Sequence, residues 1–167
     1  GIWTGIGFVV MLAAMQVDYR HLRNRRVVYG LLAVTTVMLL AVFAFPATNG
    51  AHRWIKLPSL SIQPSELAKP TLVIFLAYFL ERRAGEEGQF WFTFMPCAFV
   101  TCALAGLIVV EPDLGTAMML GVIFVVVIYT AGARLKHLAM VAAPALLAVA
   151  GLLIFVPFRV RRLVTFL

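Results

Sequence analysis

Charge is scarce in this sequence, and acid is scarcer than base. Of its 167 residues 13% are Asp, Glu, Lys or Arg, seven acids against fourteen bases, for a net charge of +7. A soluble domain of ordinary composition is charged at about a quarter of its positions, so that class is excluded. The bases fall in short clusters between apolar runs rather than along one face. That excludes a nucleic-acid footprint and points to topology signals and to contacts with anionic head groups or substrates. Cysteine is nearly absent. Cys97 and Cys102 lie five apart within one apolar run, where they do not share a helix face, and both are expected to be buried, unpaired thiols. The histidines, His21, His52 and His137, are scattered without metal-ligand spacing and read as interfacial side chains, so no metal site is expected from them. No soluble domain, linker, low-complexity tract or internal repeat is visible.

Apolar residues are abundant: 63% of the chain is hydrophobic and its mean hydropathy is +1.00. An apolar stretch of about 20 residues crosses the hydrocarbon core as a helix. The expected fold is therefore all-α, a polytopic transmembrane helix bundle with six spans, near 1–17, 27–45, 64–80, 90–110, 114–133 and 138–158. Pro46 and the turn-prone Thr48-Asn49-Gly50 stop the second span, whereas Pro96 is expected to bend the fourth rather than end it. The chain begins inside an apolar run and stops after a basic cluster, so it reads as part of a longer protein.

Six spans also decide which loops share a side. The loops 18–26, 81–87 and 134–137 carry eight Lys and Arg, and the opposite face carries six, namely Arg53, Lys56, Lys69, Arg159, Arg161 and Arg162. Positive charge concentrates on the cytoplasmic side of membrane proteins, which assigns the first set there. Basic residues retained on the other face point to an anionic ligand.

One stretch departs from this apolar scaffold: 49–70, NGAHRWIKLPSLSIQPSELAKP. A charge at membrane depth costs about 2.5–3.5 kcal/mol on insertion scales, so Glu66 and Lys69 require a reason to be there. Part of it is helix initiation, with Pro64 at the first helical position, Gln63 as a modest cap and Glu66 beside the positive helix end. Lys69 lies a turn deeper, three residues from Glu66 and on the same face. Pro70 then leaves the Glu66 carbonyl without its amide. An ion pair beside a loosened backbone reads as the wall of a polar cavity or as a structural pair. Arg53, Trp54 and Lys56 read first as an interfacial anchor, with a ligand contact as the alternative. Glu111-Pro112-Asp113 opens the next span, with Asp113 able to cap it; the two carboxylates could also hold a cation or position a base.

The motifs NGAHRWI (49–55), QPSELAK (63–69) and EPDLGTA (111–117), in that order and spacing, resemble the SEDS family (shape, elongation, division and sporulation), which includes RodA, FtsW and SpoVE. The closing RRLVTFL (161–167) is similar to the basic segment after the family's seventh span. The resemblance implies a larger helix bundle of which this chain supplies spans two to seven, with 49–70, the Glu111–Asp113 boundary and Arg161 and Arg162 on the outer side of a bacterial inner membrane. It implies a peptidoglycan glycosyltransferase that polymerises lipid II, an undecaprenyl-diphosphate-linked substrate, for division or elongation. The implied partner is a class B penicillin-binding protein, and a divalent cation, Mg or Mn, could assist. A lipid II flippase, or a non-catalytic scaffold of the division or elongation machinery, is the alternative.

The family's proposed catalytic aspartate falls beyond Leu167, so residues 1–167 alone are expected to be inactive. Arg53, Trp54, Lys56, Gln63, Ser65, Glu66, Lys69, Glu111, Asp113, Thr116, Arg161 and Arg162 are the positions expected to face substrate or line the cavity. Arg53, Lys69, Arg161 and Arg162 suit a departing diphosphate, and Glu66 would keep Lys69 charged and oriented.

Overall fold

The computed structural model describes residues 5, 7–8, 11–12, 15, 19–45, 54–56, 61–83, 85, 90–132, 136, 138–140 and 151, with the backbone alone at Tyr19, His21, Lys56 and Phe90. Four α-helices organise these residues: α1 (Arg25–Ala41), α2 (Pro64–Glu81), α3 (Met95–Val110) and α4 (Leu114–Thr130). The expected spans 1–17 and 138–158 lie largely outside the described residues.

Local chemistry accounts for where each helix begins. Asn24 caps α1, its side chain accepting from the Arg26 amide at 3.0 Å. Beyond Ala41 a 3-10 turn, Val42–Ala44, prolongs α1 into an apolar helix of 20 residues, long enough to cross a bilayer. Pro64 opens α2 at a position where an amide hydrogen has no helical partner anyway. A π-helical turn, Phe90–Phe94, leads into α3, and Trp91–Val110 is the second helix of crossing length. Pro96 stands at the change from π to α. It has no N–H for the carbonyl of Phe92, and that carbonyl accepts from Arg83 Nη1 instead.

Cross-helix contacts fix the directions. Thr35 meets Thr71, Tyr29 meets Phe75 and Tyr78, and Arg23 meets Glu81, so α2 runs antiparallel to α1. The tight turn at Glu111–Asp113 reverses α3 into α4, and Phe94 packs edge-on against Phe124 at 5.5 Å. α2 and α4 are therefore parallel, with both N-termini at one end of the bundle. α2 is the central element, packed on α1 and α4. Its Ala68, Leu72, Phe75 and Leu76 join Leu104 and Ile108 of α3 and Leu120, Phe124 and Ile128 of α4 in the core.

The outward faces are apolar too. Val34, Val37, Val122, Val126 and Tyr129 are exposed, which suits acyl chains and not water. Cys97 is buried as expected, but Cys102 is exposed, because five residues turn the helix by about 140° and carry it onto the outer face. The segment between α1 and α2 holds an antiparallel ribbon not anticipated from the sequence, β1 (Ile55–Lys56) paired with β2 (Ser61–Ile62). Two residues per strand leave the fold class all-α.

Candidate functional site: the shared N-terminal end of α2 and α4

Gln63 precedes α2 but its side chain does not cap it. Its Nε2 donates instead to Ser65 Oγ at 2.9 Å and, 50 residues away in sequence, to Asp113 Oδ2 at 3.2 Å. Ser65, fully buried, donates to the same Asp113 oxygen at 3.5 Å. Asp113 in turn caps α4, with Oδ1 accepting from the Thr116 amide at 3.3 Å and Oδ2 from the Thr116 hydroxyl at 2.8 Å. One carboxylate thus gathers donors from the first turns of two parallel helices whose positive dipole ends meet there. Gln63, Ser65, Asp113 and Thr116 are brought together. With its oxygens so engaged, Asp113 is a clamp that sets the spacing of the two helix ends.

Glu66 and Lys69 form a separate pair on the adjoining face. Lys69 Nζ bonds both carboxylate oxygens, at 2.7 and 2.9 Å. The Glu66 side chain is 56% exposed and that of Lys69 25%. Lys69 lies one turn below Ser65 on α2, and its head reaches Glu66 at the surface. Pro70 does not interrupt the helix, which continues to Glu81. Glu111 is fully buried in the turn behind Asp113. Trp54 is partly exposed on the ribbon, and the Lys56 backbone pairs with Ser61. Arg53, Arg161 and Arg162, with His52 and His137, lie outside the described residues.

Two features escaped the sequence reading. Thr35 and Thr71 share a buried hydroxyl bond of 2.9 Å between α1 and α2. Thr71 spends its only hydrogen on the Leu67 carbonyl at 2.8 Å, so Thr35 is the donor. At the opposite end of the bundle, Arg25, Arg82 and Arg83 line a cavity with three aromatic rings. Its signal was present as Arg–aromatic pairs four apart, 25/29, 78/82 and 79/83.

With this geometry in place, comparison with known proteins is decisive. Residues 1–167 match, end to end, the family of FtsW, RodA and SpoVE, described as "Cell cycle protein". The chain belongs to the FtsW/RodA/SpoVE family. It is 30% identical to the "Probable peptidoglycan glycosyltransferase FtsW" of Geobacter sulfurreducens, over all of this chain and 45% of that protein. It is 32% identical to the "Stage V sporulation protein E" of Bacillus subtilis, over 99% of this chain and 46% of that one.

Among solved structures, the rod shape determining protein RodA of Thermus thermophilus aligns with a TM-score of 0.71 at 30% identity, over 86% of this chain and 47% of RodA. A peptidoglycan synthase complex, described as coordinating polymerization and crosslinking, aligns at 0.72 and 29% identity, over 98% of this chain and 48% of its own. The chain thus spans a little under half the length of the curated relatives it matches. As a member of the FtsW/RodA/SpoVE family it is a polytopic helical membrane protein, and the Asp113 clamp joins two of the motifs, QPSELAK and EPDLGTA.

Proposed function

We propose that the full-length protein is a peptidoglycan glycosyltransferase that polymerises lipid II into glycan strands at the outer face of the bacterial inner membrane, together with a class B penicillin-binding protein. The observation that carries this reading is the Asp113 clamp. It fixes the first turns of α2 and α4 side by side and so sets the position of Lys69, one turn below Ser65, as a cation for an anionic diphosphate. The name of the Geobacter sulfurreducens relative, a probable peptidoglycan glycosyltransferase, supports the same chemistry.

In that reaction the sugar hydroxyl of one lipid II attacks the anomeric carbon of the growing strand, and the lipid diphosphate leaves. Fixed positive charge stabilises the departing group because it needs no reorganisation as charge develops. Lys69 supplies one such charge, oriented by Glu66, and Arg53, Arg161 and Arg162 are proposed as others. Gln63, Ser65, Asp113 and Thr116 are positioning residues, with Glu111 buried behind them. Trp54 and Lys56 are proposed as interfacial or substrate contacts beside them. The prenyl tail lies along the apolar outer faces of the helices. The base that takes the hydroxyl proton is proposed to come from outside residues 1–167.

A divalent cation does not fit the described side chains. Glu66 is held by Lys69, the Asp113 oxygens are engaged by Gln63, Ser65 and Thr116, and no three metal-ligating side chains converge among the described residues.

The experiment is polymerisation of purified lipid II by the full-length protein with its partner in detergent, read as glycan length on a gel, beside a vesicle assay for lipid II scrambling. Polymer formation is expected. Scrambling without polymer would replace this reading with a flippase.

A further inference from the structure

At the end of the bundle away from the Asp113 clamp, the start of α1 and the end of α2 frame a half-open cavity of about 170 Å3 lined by Arg25, Tyr29, Tyr78, Phe79, Arg82 and Arg83. That is room for a phosphodiester and not merely for one water, whose share of the liquid is about 30 Å3. Each arginine carbon Cζ sits over a ring one turn away at cation-π distance: Arg25 over Tyr29 at 5.5 Å, Arg82 over Tyr78 at 4.9 Å and Arg83 over Phe79 at 5.0 Å. A guanidinium lying over a ring keeps its N–H edges available in its own plane, the geometry that grips phosphate oxygens in pairs.

Three cations line this cavity and, among the described residues, no acid does. Glu81, adjacent in sequence, is taken by Arg23 at 2.8 Å. Arg83 commits one nitrogen to the Phe92 carbonyl. Arg25 and Arg82 have no carboxylate partner among the described residues. The N-terminus of α1 adds its positive dipole end, with no acid in its first turn. The hydroxyl of Tyr78, on a side chain 6% exposed, is buried without a hydrogen-bond partner among the described residues. Such a group is costly unless an acceptor meets it.

We propose that this cavity binds the phosphate of an anionic membrane lipid, cardiolipin or phosphatidylglycerol, gripped by Arg25 and Arg82. A lipid is favoured over a soluble anion by position. Arg25 is the first residue of a helix of crossing length, and exposed Val27 and Tyr29 follow it, so acyl chains run beside the mouth of the cavity. Basic pockets between membrane helices are suited to such head groups. None of these residues belongs to the clamp, so the inference stands apart from the polymerase reading.

The test uses the full-length protein in phosphatidylcholine nanodiscs doped with cardiolipin, with retained lipid measured by native mass spectrometry. Wild type is expected to retain cardiolipin in preference to phosphatidylcholine. Arg25→Gln and Arg82→Gln should each weaken retention about fivefold, and the double variant more, since a basic residue near anionic lipid contributes on the order of that factor. Both side chains are exposed, so the fold is expected to survive. The Arg25→Lys/Arg82→Lys protein, which keeps the charge, should retain more lipid than the glutamine pair. Undiminished retention by the double glutamine variant would overturn the proposal. So would equal retention of phosphatidylcholine. Displacement of cardiolipin by millimolar inorganic phosphate would assign the site to a soluble anion and overturn the lipid assignment.

Discussion

Gln63 reaches across 50 residues of sequence to donate to Asp113 at 3.2 Å, and with that bond the first turns of α2 and α4 become one unit. The amide must present its nitrogen to the carboxylate, since its carbonyl there would oppose another acceptor. Ser65 accepts from Gln63 and donates to Asp113, so its hydroxyl is satisfied in both senses despite full burial.

The clamp should be measurable as coupling. Asp113→Ala removes a helix cap and strips acceptors from Gln63 and Ser65, and is expected to destabilise the protein by about 1–2 kcal/mol. Gln63→Leu alone should cost less. The double variant should fall short of the sum by at least about 0.5 kcal/mol, as neighbours in one network do. Thermal unfolding in detergent of the four proteins completes the cycle; strict additivity would mean that the two side chains do not communicate.

The Thr35–Thr71 bond carries a direction that mutations can read. Valine at 35 removes the donor and leaves Thr71 bonded to Leu67, so the expected loss is modest, about 0.6–1.7 kcal/mol for a hydrogen bond between membrane helices. Thr35→Ser should restore most of it. Thr35→Val/Thr71→Val also removes the Thr71–Leu67 bond and should cost more than Thr35→Val alone. The check is the unfolding midpoint of the three variants.

Helix starts were legible in the sequence because they are local. Pro64 at the first turn and Asp113 as a cap follow from the geometry of four unpaired amides, and nothing distant competes with them. Gln63 misled for the complementary reason: its cap position was visible, but the carboxylate it prefers comes from another helix. The ribbon at Ile55 and Ile62 is too short for any period to register. Thr71 carries no sequence signal, since a hydroxyl that bonds back to the preceding turn leaves nothing visible in composition. The basic clusters that hold Arg25, Arg82 and Arg83 point, as sequence, to topology signals and to anionic head groups or substrates in general. Only the packing of α1 on α2 shows them converging.

The two cysteines offer a direct contrast between core and lipid face. Cys97 is fully buried, so Cys97→Leu should overpack the α3 interface and cost about 1–3 kcal/mol. Cys102→Leu, on the exposed side of the same helix, should leave the unfolding midpoint nearly unchanged. Equal effects in a thermal melt would show that the helix is rotated from the orientation described.

Lys69 is the residue on which the functional account turns. Its pair with Glu66 is partly exposed, so breaking it should alter stability by no more than about 1 kcal/mol. A cation facing a departing diphosphate contributes far more to rate than to folding. The deciding measurement is therefore the lipid II polymerisation rate of the full-length Lys69→Met protein with its partner, taken beside its melting temperature. The account predicts at least about a tenfold loss of polymer with melting unchanged. Polymer formed at the wild-type rate would contradict it.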